Sequence, residues 1–311
     1  MHKRHLLALT LALAASQPAR AQETLYIPLV SKGFQHQFWQ AVKAGAEAAA
    51  RDYKVKVSFE GPESEAMVDK QIDMLAAALA KKPAAIGLAA LDSQAVLPLL
   101  KKAAAAKIPV VAFDSGVDSD IPVTTAATDN RAAAAMAADR LAELIDDEGA
   151  VAVVAHDQTS RTGVDRRDGF LERMKTAHPK VKVVSVQYGG GDHLKSTEVT
   201  KSILQAYPKL KGIFGTNEGS AVGVVNGVRE SKRKQIIIIG FDSGKQQKDA
   251  IRAGLMAGAI TQNPVGIGYK TVEAAVKALR GEKLPKLIDT GFYYYDKRNI
   301  ADPMIAAVLY D

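Results

Sequence analysis

The sequence predicts an α/β protein of two similar doubly wound lobes, each a parallel sheet covered by helices. Three observations carry that reading. Apolar runs of strand length alternate with Ala-rich helical stretches along nearly all of the 311 residues, the pattern of buried parallel strands joined by crossover helices. The alternation restarts around Thr128-Asp129-Asn130. The tetrapeptide FDSG also occurs twice, at 113–116 and at 241–244, each time directly after an apolar run.

The opening MHKRHLLALTLALAASQPARAQ has the layout of a secretory signal peptide. Lys3 and Arg4 supply a cationic start, an apolar run covers 6–15, and Ala19-Arg20-Ala21 is a cleavage-type sequence, so residues 1–21 are expected to be removed. That run is shorter than the ~20 residues a spanning helix needs, and no other stretch of the sequence reaches that length. The chain has no cysteine, hence no disulfide, no thiolate metal site and no lipid-bearing cysteine at the cut. The expected product is a soluble, monomeric periplasmic protein. Its formal charge of +7 falls to +4 without Lys3, Arg4 and Arg20. The remaining cations are scattered among Asp and Glu, with KKP at 81–83 and SKRKQ at 231–235 the densest spots. Such spots read as solvated helix ends, so no nucleic-acid partner is expected.

In the first half, TLYIPLV leads to a helix over FWQAVKAGAEAAARDY, VKVSF to MVDKQIDMLAAALA, and AAIGLAA to AVLPLLKKAAAA, before IPVVAFD. The second half opens with the helix RAAAAMAADRLAELI. Then come AVAVVAH, the RTGVDRRDGFLERMKTA helix, VKVVSVQY, the TEVTKSILQAY helix, GIFGTN, the SAVGVVNGVRES helix and QIIIIGFD. Right-handed crossovers turn each series into a parallel sheet, whose ligands sit outside the carboxyl ends of the strands. Asp114 and Asp242 both stand at such ends, one in each half. The repeated tetrapeptide thus brings one carboxylate from each lobe to a common mouth.

The other strand ends add polar and aromatic groups. After the first strand come His36, Phe38 and Trp39, where two rings suit the C–H face of a sugar. The loop after AVAVVA runs from His156 to Arg161 and enters a helix with Arg166 and Arg167. An arginine there offers a forked donor to two oxygens, with Arg161 and Arg167 read as surface residues. GIFGT delivers Asn217 and GAITQ delivers Gln262, amides that both donate and accept. Paired carboxylates across a cleft also occur in glycosidases. Here no second acid stands beside either Asp, no nucleophile elbow is present, and the six His form no metal-ligand cluster. No catalysis, metal or cofactor is therefore expected. The glycines of Gly189-Gly190-Gly191 do not open a phosphate loop, since Leu194 stands where Gly must precede the Lys-Ser pair. No helix-turn-helix precedes the first strand.

Taken in order, Phe38-Trp39, IPVVAFD ending in Asp114, TDN at 128–130, DRRDGF at 165–170, FGTNE around Asn217, IIIIGFD ending in Asp242 and AITQNP around Gln262 resemble one family. It is the periplasmic sugar-binding proteins of ABC importers, of the ribose/galactose-binding type, and the resemblance spans about 25–295. It implies two lobes closing like a flytrap over a monosaccharide or sugar alcohol, which is then delivered to a membrane permease. A periplasmic sensor signalling to a membrane kinase or chemoreceptor is the alternative. The resemblance implies a first lobe of 24–127 plus 263–291 and a second of 128–262 plus 292–311, with hinges near Ala127-Thr128, Gln262-Asn263 and Thr290-Gly291. The ligand set it implies is Phe38, Trp39, Asp114, Arg166, Asn217, Asp242 and Gln262, with His36 where the family often has Asn, and Ser115 beside Asp114 is counted among the ligand-binding residues with them. Two departures matter. Ser115 stands where ribose binders carry Arg, and the third strand ends Leu88-Ala89-Ala90 where they carry Asn, so a ligand other than ribose is expected.

Overall fold

Two six-stranded sheets with the same strand order organise the chain. The computed structural model describes residues 24–311, so the signal peptide expected over 1–21 lies outside the described residues. The first sheet collects β1 (Tyr26–Val30), β2 (Lys56–Glu60), β3 (Ile86–Leu88), β4 (Val110–Phe113), β5 (Thr124–Ala127) and β11 (Leu287–Asp289). Its order is β2-β1-β3-β4-β5-β11, all parallel. The second collects β6 (Gly149–Ala155), β7 (Val181–Tyr188), β8 (Leu210–Gly215), β9 (Ile237–Phe241), β10 (Gly258–Gln262) and β12 (Phe292–Asp296). Its order is β7-β6-β8-β9-β10-β12, with only β12 antiparallel to its neighbour. The first five strands of each sheet therefore repeat one topology, the sixth differing in direction, and β4 and β9, which carry the two FDSG segments, are each the fourth strand of their lobe.

Helices cover both faces of each sheet. On the first, α1 (Gln37–Tyr53) and α9 (Pro264–Leu279) close one apolar layer and α2 (Val68–Ala80) with α3 (Leu97–Ala105) the other. On the second, α4 (Asn130–Leu144) and α5 (Arg161–Ala177) lie opposite α6 (His193–Ala206), α7 (Glu218–Glu230) and α8 (Lys245–Arg252). The chain passes between the sheets after Ala127, Gln262 and Asp289. A last turn, α10 (Pro303–Ala306), leads to Tyr310, whose ring meets Phe38 of α1 edge-on at 6.1 Å. No helix among the described residues is long and apolar enough to cross a membrane.

Local chemistry sets most helix starts. Asp129, Ser160, Asp192 and Asn217 each accept a backbone N–H from the first turn of α4, α5, α6 and α7, the usual use of a short polar side chain at an N-cap. The N-terminus of α1 has no such cap from His36, and α8 starts after Gly244, which has no side chain to offer.

The position of α1, which carries His36, Phe38 and Trp39 into the mouth, depends on a backbone contact with α9. A Cβ on Gly45 would lie 2.0 Å from the carbonyl oxygen of Val265, and one on Gly268 would lie 1.9 Å from that of Val42. Gly45→Ala or Gly268→Ala must push the helices apart. We expect a loss of about 1–3 kcal/mol from overpacking, despite the better helix propensity of alanine, read as a lower urea midpoint. A rise in midpoint would mean that propensity outweighs the contact.

Candidate functional site

The carboxyl ends of both sheets enclose one cavity. Its walls are Lys32, His36, Phe38, Trp39, Glu65, Asp114, His156, Arg166, Asn217, Asp242 and Gln262. Eight of the nine residues singled out from the sequence line it. Ser115 does not: it is fully buried, its N–H turns back to Phe113 O at 2.5 Å and its carbonyl accepts from Ala90 N at 3.4 Å. The loss of an arginine at 115 therefore leaves a side chain packed away from the wall.

The two FDSG segments are built alike. Asp114 and Asp242 have φ of +54° and +81°, the left-handed region that non-glycine residues rarely adopt, Asp being among the more tolerant. Asp114 N donates to Ala126 O of β5 at 2.9 Å, and Asp242 N to Ile260 O of β10 at 2.6 Å. In each lobe the fourth strand hooks onto the fifth, which turns the aspartate into the mouth. Strained backbone of this kind persists where the surrounding structure holds it, and it concentrates at ligand clamps.

Their side chains differ. Asp242 is held from its own lobe through one bond on each oxygen: Oδ1 accepts from Gln262 Nε2 at 2.7 Å and Oδ2 from Glu218 N at 3.0 Å. Arg166, 3% exposed, is fixed by bonds from Nε to Asn130 Oδ1 at 2.7 Å and from Nη1 to Thr216 O at 3.0 Å, and its guanidinium lies 3.8 Å from the Phe241 ring centre. Its remaining N–H groups are free to face the cavity. Asn217 spends Oδ1 on capping α7 and gives Nδ2 to Glu65 Oε2 across the cleft at 3.3 Å. Gln262 Oε1 is buried with no partner. Asp114, 4% exposed, makes no hydrogen bond through its carboxylate to another described residue. Burial pushes its pKa up to about 6, against the pull of Lys32 and Arg166.

Trp39 joins the wall and the core at once. It is 1% exposed, packs edge-on against Phe38 at 4.9 Å and Phe113 at 6.3 Å, and donates Nε1 to Glu65 Oε1 at 2.8 Å. Its ring thereby holds a carboxylate in place.

Three wall residues escaped the sequence reading. Lys32, at the end of β1, is buried and donates to Thr162 Oγ1 of the other lobe at 2.9 Å. His156, at the end of β6, bonds Thr216 Oγ1 at 2.7 Å and Thr162 Oγ1 at 3.2 Å. Burial drives its pKa down to about 3, so it is a neutral imidazole at ordinary pH. Glu65 comes from the loop after β2; burial opposes its charge, but Lys32 foremost holds its pKa below the usual range. The strand-end rule reaches the first two, both of which follow apolar runs. Nothing in the local pattern of GPESEAM separates Glu65 from a solvated loop acid.

An ionised Asp114 with no partner burdens the fold. Its folded pKa of about 6 lies above the ordinary 3.8, so the stability it favours is full below pH 3.8 and lost as pH rises through 6. At pH 7 the penalty is about 3 kcal/mol. Asp114→Asn should therefore raise the melting temperature of the ligand-free protein at pH 7, by a margin that shrinks toward pH 4. A variant that melts lower at pH 7 would show that the carboxylate is paired.

Comparison with known proteins bears on what such a cavity is for. The pattern of the periplasmic binding protein domain matches residues 27–283. The ribose import binding protein RbsB of Haemophilus influenzae is 31% identical over 282 residues, 89% of this chain and 92% of that protein. An ABC transporter solute-binding protein from Agrobacterium vitis, solved with alpha-D-tagatopyranose, superposes with a TM-score of 0.89 at 32% identity, covering 93% of this chain and 100% of that one. A carbohydrate transporter solute-binding protein from Agrobacterium radiobacter, solved in complex with D-arabinose, gives 0.89 at 33% identity over the same shares. These relatives are binding proteins and not enzymes, and with two α/β lobes meeting at such a cavity the chain belongs to the periplasmic binding protein family.

Proposed function

We propose that the protein is a periplasmic receptor that closes on a monosaccharide or sugar alcohol between its lobes and delivers it to the permease of an ABC importer. The observation that carries this reading is the unpartnered Asp114 carboxylate, enclosed beside an unpartnered Gln262 Oε1 and the spare N–H groups of Arg166. A sugar presents hydroxyls that donate to Asp114 and Gln262 while accepting from Arg166. Asp242 accepts further hydroxyls, Asn217 adds its amide, and Phe38 with Trp39 and His36 cover the carbon skeleton. Charge-assisted bonds of this sort contribute roughly 1.5–3 kcal/mol each, enough in combination for a micromolar complex at about −8 kcal/mol. A relative named for ribose and two solved with alpha-D-tagatopyranose and D-arabinose support the ligand class. With two cations against three carboxylates in the wall, an anionic sugar is disfavoured. The crossings after Ala127, Gln262 and Asp289 serve as the hinges, as in binding proteins of this kind.

Trp39 is the only tryptophan, so titrating the mature protein with pentoses, hexoses, deoxy sugars and polyols should change its emission saturably for one compound class. Silence across the panel with an unchanged melting temperature would overturn the sugar reading. Arg166→Ala and Asp242→Ala should each weaken binding more than about tenfold; effects within twofold would remove those residues from the site.

Binding should also depend on pH. Asp114 accepts hydroxyls most strongly when ionised and its pKa is about 6, so affinity should drop by up to about tenfold from pH 7 to pH 5. Asp114→Asn should bind weakly with a flat profile. A flat profile in the parent protein would mean that Asp114 is not an acceptor for the ligand.

A further inference from the structure

Outside the cavity wall, two of the helices whose own N-cap residue offers no side-chain acceptor, α1 and α8, receive one from the opposite lobe. Glu218, the first residue of α7, reaches across the cleft to α1, where its Oε1 accepts from Gln37 N and its Oε2 from Phe38 N, both at 3.2 Å. In return Gln37, the first residue of α1, accepts at Oε1 from Lys245 N at the start of α8, at 2.7 Å. Tyr310 OH adds a bond to Glu218 Oε2 at 3.4 Å. Helix starts expose N–H groups that need acceptors, and an anion placed there is further favoured by the helix dipole. Glu218 is only 9% exposed, so these bonds are largely shielded from water in the closed arrangement.

From this exchange we infer that Glu218 and Gln37 are positioning residues for ligand capture: they form a reciprocal capping latch that exists only when the lobes are closed, and so set ligand retention without touching the ligand. The inference rests on the solute-binding reading above. The latch is one bond away from the cavity on both sides. Phe38, whose N–H it holds, is a wall residue, Asn217 immediately precedes Glu218, and the Glu218 N–H itself holds Asp242. Opening the lobes returns the N–H groups of Gln37 and Phe38 to water, so removing Glu218 penalises the closed state and leaves the open one little changed. An unmade bond to a buried donor is the costly case.

The test needs a reading of closure that does not depend on a sugar. Ser93 N donates to Thr159 O at 3.0 Å across the other side of the cleft, and the chain has no native cysteine. The rate at which a short bifunctional thiol reagent joins Ser93→Cys to Thr159→Cys thus reports the closed population of the ligand-free protein. We expect Glu218→Ala to slow trapping about tenfold and Gln37→Ala about threefold or more, with the exposed Glu63→Ala as an unaffected control. With D-arabinose or D-tagatose, whichever binds the parent, the same two variants should release it faster by like factors while association changes little. Gln37 is half-buried, so its variant keeps the test open should Glu218→Ala not fold. Equal trapping rates in parent and variants overturn the latch whatever the sugar result. A parent that binds no sugar yet shows slower trapping in the variants overturns the sugar reading and leaves the latch standing.

Discussion

An enclosed carboxylate with no partner of its own is the constraint on which this structure turns. Removing Asp114 from water costs the fold stability, and the protein supplies only the distant pull of Lys32 and Arg166 in return. A group that burdens the ligand-free fold is favoured only if something else completes its hydrogen bonds. Its left-handed backbone adds local strain, held in place by the bond from its N–H to β5. Asp242 carries the same strain and hook but is satisfied within its own lobe. The duplicated segment therefore has two energetic roles: one aspartate is a preorganised acceptor already oriented by its neighbours, and the other is the acceptor that most needs a ligand.

The matching topology of the lobes explains why the same four residues serve twice. In each sheet the fourth strand lies between the third and fifth, and its last residue must turn out of the sheet at the carboxyl edge, where doubly wound folds bind ligands. Phe113 and Phe241 are both fully buried beneath the turn. The aspartate follows at the first position past the strand, its N–H still bonded to the fifth strand. Ser115 and Ser243 are likewise fully buried, so the serine of the motif belongs to the turn and not to the wall.

The α/β class and its restart midway were legible because buried parallel strands are continuous apolar runs. β5, β11 and β12 were not read from the sequence. Thr124-Thr125-Ala126-Ala127 has no large apolar side chain, Leu287–Asp289 is only three residues long, and β12 pairs antiparallel at the edge. Their existence is decided by sheet neighbours and not by local pattern. At the site, Asp114, Asp242, Asn217 and Gln262 could be found because each ends a recognisable strand. Lys32 could be passed over because a lysine defaults to solvent, and only its burial against Thr162 of the other lobe overrides that default. Glu65 depends on tertiary contact alone, since its partners Trp39 and Asn217 lie 26 and 152 residues away. Ser115 errs the other way: adjacency to Asp114 in sequence does not survive a turn that sends consecutive side chains to opposite sides.

In the closed arrangement the cavity groups partly satisfy one another. Asn217 bonds Glu65 across the cleft, Lys32 bonds Thr162, and Gln262 bonds Asp242. A ligand large enough to reach Asp114 must enter while the lobes are apart and then replace some of these bonds, so what it gains is the difference between its own contacts and those it displaces. That difference is smaller where a bond is displaced, as at Asn217 and Glu65, which already bond each other, and largest at Asp114 and Gln262 Oε1, which have nothing to lose. Selectivity should therefore concentrate at these two, where a missing hydroxyl leaves a buried acceptor unmet, whereas the cross-cleft pair tolerates variation because it can close on itself.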